Sequence, residues 1–367
     1  MRFRHLCVVL ALAVVAPSLL ADGTIRYTSS ITYGPIAAAF AATEAANGKP
    51  SINITPPAPT SRTMRLKNGK VEQEGGAITG FYDPKNSQVT FIDPQRKLFA
   101  TTTLQDLVAQ LLASMPARPP MSPQVKMIVE SLTTTYASRK TGRTEMTLGL
   151  ETEETEFTFS VNMTLPPVLL ALLPNVSVQP SAPVTVLKIV IHMWYPTQAE
   201  IARVPALNEL AGFWSAQTAM SANLTAGLIA ATAKLSANYP GISQGLTAMI
   251  EDSLKNRGAM LKSDVEIYAP VLAQIAPLMK AHGMADFDVN APLMGVTTEA
   301  VEVSSAPIED SVFEVPSDYK ATPAADFLRG AGRSMNAAHA GRAGGSLEPG
   351  PPAQPADSPG LGRLPFR

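Results

Sequence analysis

The chain has 367 residues, of which 46% are hydrophobic and 16% are charged, so it can bury a sizeable core and is not wholly disordered. The 29 basic and 30 acidic side chains leave a formal net charge of -1, which does not favour a polyanion-binding surface, and we expect no nucleic-acid partner. Cys7 is the only cysteine, which excludes an intrachain disulfide and a site built from several thiolates.

The first 21 residues have the pattern of a secretory signal peptide. Arg2 and Arg4 precede a continuous apolar run over residues 6–16, and the small residue Ala21 precedes the polar Asp22. Because the apolar run is too short to span a bilayer with ordinary flanks, we predict cleavage between Ala21 and Asp22. The mature chain would then lie in the periplasm or on the extracellular side of a bacterial envelope, with no integral membrane span. An uncleaved amino-terminal anchor is the alternative.

The body of the chain opens with patterns that are typical of antiparallel strands. Apolar and polar residues alternate over residues 25–33, as in a half-buried strand. Asn68-Gly69 supplies the positive φ angles that a two-residue hairpin turn needs. Two Asp-Pro pairs, at 83–84 and 93–94, separate further short apolar runs. These features together predict an antiparallel meander.

A short amphipathic helix is predicted after the meander. Apolar residues recur at helical spacing over residues 104–115 and include Leu104, Leu107 and Leu111. Thr103 is a suitable residue to cap its start. This helix is either an ordinary core helix or the cover of an apolar cavity, and the sequence leaves both open.

Two later segments predict strands with one apolar face each. Residues 156–165 alternate strictly between apolar and polar side chains, and residues 184–195 carry apolar side chains at every second position from Leu187 to Tyr195. The side chains expected to face the cavity from these strands are Phe157, Phe159, Ile189, Ile191 and Met193. If the helix stripe covers both faces, the three surfaces enclose either a dry core or a lipid-sized pocket.

A helical insertion is expected at residues 196–285. Apolar residues at helical spacing predict helices at about 207–237 and 242–258. Ser263 and Glu266 have the spacing of a capping box, which predicts the start of a third helix. Strands are expected to return after this segment.

The final 44 residues, 324–367, are predicted to be a disordered tail. They contain eight glycines and six prolines and show no apolar periodicity. A segment with no apolar face to bury should contribute no stability.

No catalytic or metal-binding constellation stands out. His192 and His282 are the histidines of the body, and the sequence contains neither a Gly-x-Ser-x-Gly elbow nor a His-x-x-x-His pair. We interpret His192 as a partly buried strand histidine beside Trp194, and the acidic residues of 151–156 as a solvated strand edge protected by charge. We therefore expect no metal, no cofactor and no enzymatic activity. A hydrolase acting through His192 is the least favoured alternative.

Several stretches resemble a bacterial family of exported proteins of unknown function. They are Met64-Arg65-Leu66, residues 91–99, Thr141-Gly142-Arg143-Thr144-Glu145, His192-Met193-Trp194-Tyr195 and residues 313–320. That family is similar in architecture to periplasmic lipoprotein carriers of the LolA and LolB type. The resemblance implies an open half-barrel of antiparallel strands, with helices over an apolar cavity that holds acyl chains. It implies no catalytic residue.

The sequence thus predicts one α+β domain over residues 22–323. Its core is a curved antiparallel sheet, an open half-barrel, with covering helices and a helical insertion. We expect non-enzymatic binding of a lipid or another acyl-bearing ligand in an apolar cavity. The alternative is a structural or protein-interaction module of the cell envelope, with a packed core and no ligand.

Overall fold

In a computed structural model of the protein, strands from the whole body of the chain form one large open sheet. The structure describes residues 22–46, 55–76, 78–83, 86–103, 105–107, 109–110, 122–164, 183–220, 240–255, 259–281 and 287–327. The predicted signal peptide, most of the predicted tail and most of the 104–115 helix lie outside these residues, as does His282. Among the described helices, none is both long and apolar enough to cross a membrane.

The described chain contains twelve strands and six α-helices that alternate irregularly. The strands are β1 (Gly23–Tyr33), β2 (Thr60–Lys67), β3 (Lys70–Gly75), β4 (Ile78–Asp83), β5 (Gln88–Asp93), β6 (Leu98–Thr103), β7 (Leu132–Thr147), β8 (Leu150–Met163), β9 (Val184–Pro196), β10 (Lys262–Tyr268), β11 (Met294–Ser304) and β12 (Lys320–Ala321). The helices are α1 (Pro35–Ala46), α2 (Pro123–Glu130), α3 (Gln198–Arg203), α4 (Pro205–Met220), α5 (Pro240–Lys255) and α6 (Val271–Ala281). The strands therefore dominate, and the helices fill the connections between them.

The strand order in the sheet is β12-β6-β5-β4-β3-β2-β1-β11-β10-β9-β8-β7. Every neighbouring pair is antiparallel except β12 and β6, which are parallel. The predicted meander is confirmed as β2 to β6. Its first turn is formed by Asn68 and Gly69, with φ angles of 52° and 75°, as a two-residue hairpin requires. The predicted large antiparallel sheet is therefore present.

One face of the sheet carries apolar side chains in both of its halves. Residues directly opposite each other on neighbouring strands project from the same face. From β5 to β1 this face is traced by the paired residues Phe91, Gly80, Gln73, Met64 and Ile25. From β1 to β8 it is traced by the paired residues Ile31, Val296, Val265, Ile191 and Phe157. Ile25 and Ile31 are an even number of positions apart on β1, so their side chains project from the same side of the strand. The two traces therefore lie on one face of the sheet.

Two helices contact this apolar face at separate places. On α4, the buried side chains of Leu207 and Leu210 join a core cluster with Ile25 and Leu66. On α5, the backbone of Gly245 lies so close to β7 that a Cβ there would stand 2.7 Å from the Cβ of Thr134. Glycine is needed at this position because any side chain would collide with the strand.

The segment 196–285 is not a purely helical insertion. The expectation that Ser263 and Glu266 begin a helix is wrong, because both residues lie in β10, between β9 and β11. Ser263 pairs with Met193 on one side and with Thr298 on the other. The capping-box spacing arose within a strand of alternating polar and apolar residues, and hydrogen bonding on both sides stabilises the extended form.

The folded chain extends beyond the predicted end of the domain at residue 323. Residues 324–327 form one helical turn, and Phe327 is 1% exposed. The expectation that the tail offers no apolar side chain to bury is therefore wrong for these four residues. The parallel pairing of Lys320 with Leu98 brings the turn to the sheet. A single buried anchor produces no periodicity, so the sequence pattern did not indicate it.

Candidate ligand-binding groove

An apolar groove of about 290 Å³ lies on β3, β4 and β5, on the apolar face of the sheet. Ligand pockets in proteins typically measure about 300–1,000 Å³, so this groove is at the small end of that range. Its lining residues are mostly apolar and include Val71, Ile78, Gly80, Tyr82, Val89 and Phe91, with Gln73 as a polar member. The groove suits a slender apolar ligand.

Gly80 creates the depression in the middle of this surface. It pairs with Gln73 on β3 and with Phe91 on β5, so the absent side chain leaves space between two larger ones. A Cβ placed at Gly80 would lie 3.7 Å from the Phe91 ring, which is an ordinary contact distance. The groove therefore exists because a side chain is missing and not because the backbone is strained.

Aromatic contacts border the groove on two sides. At one side, the ring of Tyr82 meets the ring of Phe213 from α4 edge-on, with 6.4 Å between the ring centroids. At the other side, Phe91 stacks on Phe327, with 6.1 Å between centroids and 27° between the planes. Both partners come from segments distant in sequence, so the groove depends on the tertiary fold.

Arg96 and Asp93 hold Phe327 in place. The guanidinium carbon of Arg96 lies 5.5 Å from the centre of the Phe327 ring, within the range of a cation–π contact. The backbone N–H and Nε of Arg96 donate to the Asp93 carboxylate at 2.9 and 2.6 Å. Burial opposes the ionised carboxylate, but these hydrogen bonds outweigh it and lower the pKa of Asp93. The helical turn at residues 324–327 is thus held by the stacking of Phe327 on Phe91 and by the Arg96–Asp93 ion pair.

The strand residues predicted to line a cavity do share a face. Phe157 pairs with Ile191, Phe159 pairs with Ile189, and Met193 has the same parity on β9. They lie on the same face as the groove, but on the opposite half of the sheet. There, the Phe159 ring packs against α5, 3.3 Å from the position of a Cβ at Gly245.

The predicted helix stripe is described only in part. Residues 105–107 and 109–110 are helical, and the N–H of Asp106 donates to Thr103 Oγ1 at 3.0 Å, so Thr103 caps the helix as predicted. Leu107 is half-buried. Leu104 and Leu111 lie outside the described residues.

The sequence did not indicate the groove residues around Gly80. An isolated glycine within a strand pattern is a known sign of a close approach or an open space, and that signal was present at Gly80. The contributions of Phe213 and Phe327 leave no local signal, because each is a single contact made over a long sequence separation.

A buried polar cluster surrounds Glu154 on the opposite face of β8. The Glu154 side chain is 0% exposed and accepts from Thr141 Oγ1 at 2.5 Å and from Arg143 Nη1 at 3.2 Å, while His192 Nδ1 lies 2.7 Å away. The interpretation of the 151–156 acids as a strand edge is wrong, because β8 lies between β7 and β9. Glu151 and Glu153 are exposed as expected, but Glu154 is buried. A β-bulge between Lys140 and Thr144 turns the two β7 residues toward the carboxylate.

The prediction for His192 is confirmed. Its side chain is 19% exposed, and its ring lies 6.0 Å from the ring of Trp194, measured between centroids. The contacts of Glu154 with three neighbouring side chains account for the burial of its polar carboxyl group. Within the described residues, no group of three or more histidine, cysteine or acidic side chains is arranged to hold a metal ion.

Comparison with known proteins assigns neither a family nor a function to the chain. No protein-family model matches the chain, and no curated protein matches it. The resemblance of the motifs to an exported family with LolA- and LolB-like architecture therefore remains an expectation.

Proposed function

We propose that the protein binds a lipid or another acyl-bearing ligand, without enzymatic chemistry, in the groove above Gly80. The observation that carries this proposal is an apolar depression in the middle of a sheet face, bordered by Tyr82 and Phe91. Burying a methylene group in an apolar site stabilises a complex by about 0.8 kcal/mol. An acyl chain is the ligand that uses such a surface most fully.

The wider architecture supports the same proposal. The helices α4 and α5 contact the face of the sheet that bears the groove, through Phe213 and Gly245. A curved sheet with helices over its apolar face is the arrangement expected for an acyl-binding half-barrel. The signal-peptide pattern of the first 21 residues supports the bacterial envelope as the compartment of this binding.

The size of the groove favours one acyl chain over two. At about 290 Å³ it is smaller than most sites for drug-sized ligands. The affinity for linear chains should rise by about fourfold for each added methylene until the groove is filled, and then level off. Such a plateau would distinguish a bounded site from nonspecific adsorption.

A groove-filling variant tests the proposal. Gly80→Val places a side chain in the groove, and it should lower the affinity for a long-chain fluorescent fatty acid by about tenfold or more. Its thermal midpoint should not fall, because valine favours strands and the Cβ meets only an ordinary contact. Thr79→Val is the matched control, since Thr79 adjoins Gly80 on β4 and faces the other side of the sheet.

The outcomes separate the two functions that the sequence left open. Probe binding by the unaltered protein and by Thr79→Val, with loss in Gly80→Val, supports the proposal. Equal binding by all three proteins would show that the groove is not the site. If the unaltered protein does not bind the probe, the alternative stands, namely that the protein is a structural or protein-interaction module of the envelope.

A further inference from the structure

Arg62 on β2 stands beside the groove. With the Gln73 amide oriented so that its oxygen faces Arg62, the Nη1 and Nε atoms of Arg62 lie 3.0 and 3.3 Å from that oxygen. Gln73 lines the groove, and so does Gly75, whose missing Cβ would stand 3.0 Å from Arg62 Cγ. The side chain of Arg62 thus lies beside two residues of the groove lining, Gln73 and Gly75, and Arg62 is exposed to solvent.

Arg62 differs from the other arginines by the absence of a carboxylate partner. The described part of the chain contains seven arginines, and six of them form an ion pair with an aspartate or a glutamate. The six are Arg26, Arg65, Arg96, Arg139, Arg143 and Arg203. In those same residues, no carboxylate pairs with Arg62.

The position of Arg62 is held by uncharged neighbours. Its guanidinium carbon lies 5.5 Å from the centre of the Tyr27 ring, and Gln73 accepts from it on another side. A guanidinium has more N–H donors than these contacts use, and its planar fork matches the two oxygens of an anionic group. An oriented cation beside an apolar groove is the pairing that an amphiphile with a negative head group requires.

We infer that the groove takes single-chain anionic amphiphiles, with Arg62 binding the anionic oxygens of the head group while the acyl chain lies over Gly80. This inference rests on the proposed acyl-binding function and names its ligand class. The shared chemistry is a negatively charged oxygen pair on one alkyl chain, which a free fatty acid or a phosphate monoester can supply.

The test compares three ligands of equal chain length. Dodecanoate, dodecyl phosphate and dodecanol displace a fluorescent fatty-acid probe from the unaltered protein, from Arg62→Gln and from Arg26→Gln. Arg26 is the matched control because it is an exposed arginine that projects from the opposite face and pairs with Glu302 at 2.9 Å. Thermal midpoints of the three proteins verify that each one is folded.

The unaltered protein and Arg26→Gln should bind an anionic ligand about tenfold more tightly than dodecanol, and Arg62→Gln should lose that preference while keeping its affinity for dodecanol. The stronger of the two anionic ligands identifies the head group. Equal binding of dodecanol and both anions by the unaltered protein would overturn the inference alone, as would a preference that survives in Arg62→Gln. Failure of all three ligands to bind would overturn the acyl-binding function as well.

Discussion

Replacing Gly245 with alanine should push α5 away from β7. The new Cβ would lie 2.5 Å from Thr134 Oγ1 and 2.7 Å from Thr134 Cβ, and it meets a buried β-branched residue that has little freedom to move. Two hydrogen bonds depend on the same contact, because Gly245 N–H donates to Thr134 Oγ1 at 3.0 Å and that hydroxyl donates to the Gly241 carbonyl at 3.2 Å.

Two destabilising effects and one stabilising effect set the magnitude of the change. Overpacking costs about 1–3 kcal/mol, and each lost hydrogen bond costs about 1 kcal/mol. Alanine in place of glycine in a helix raises the free energy of unfolding by about 1 kcal/mol, because alanine has the higher helix propensity. The free energy of unfolding should therefore fall by about 2–4 kcal/mol, and the thermal midpoint by roughly 5–10 °C.

Differential scanning calorimetry of two variants checks this reasoning. Gly212→Ala is the control, since Gly212 lies inside α4 and a Cβ there meets nothing within 4 Å. That substitution should stabilise the protein by about 0.5–1 kcal/mol. A thermal midpoint that rises in both variants would refute the close contact between α5 and β7.

Three further predictions concern stability elsewhere in the fold. A chain truncated after Pro323 should have a free energy of unfolding about 3 kcal/mol lower than one truncated after Phe327, because it loses the buried ring. In denaturant titrations, the chain that ends at Phe327 should match the full-length chain. Glu154→Leu should lower the free energy of unfolding by about 1–3 kcal/mol, measured in the same way, since its three polar neighbours lose their acceptor. The pKa of Asp93 is lowered in the folded state, so the stability that its carboxylate contributes is present above about pH 4 and is lost as the pH falls further. When the free energy of unfolding is measured against pH in the acid range, Asp93→Asn should therefore lose less stability than the unaltered protein.

Local sequence patterns predicted the strands and the direction of their side chains. Alternation placed Phe157 with Phe159 on one face of the first strand, and Ile189 with Ile191 on one face of the second. The observed register pairs Phe157 with Ile191, so the two faces coincide. Asn68-Gly69 predicted a hairpin because few residue pairs tolerate two successive positive φ angles. These features depend on neighbours in sequence, so a single sequence was enough to find them.

The groove and its borders depend on long-range pairing, which local patterns do not report. Gly80 becomes an open space only when β3 and β5 flank it with larger side chains. Phe327 lies in a segment whose composition indicates disorder, and it is ordered by contacts with Phe91 and Arg96. Ser263 and Glu266 likewise have the spacing of a helix capping box, but hydrogen bonding to β9 and β11 keeps them in the extended form of β10.

The most direct test of acyl binding is native mass spectrometry of the protein purified under non-denaturing conditions from the cells that produce it. We expect an added mass of one single-chain amphiphile on the unaltered protein and on Thr79→Val, and its absence from Gly80→Val. An unaltered protein that carries no ligand mass, or a Gly80→Val variant that carries the same mass, would show that the groove does not bind an acyl chain.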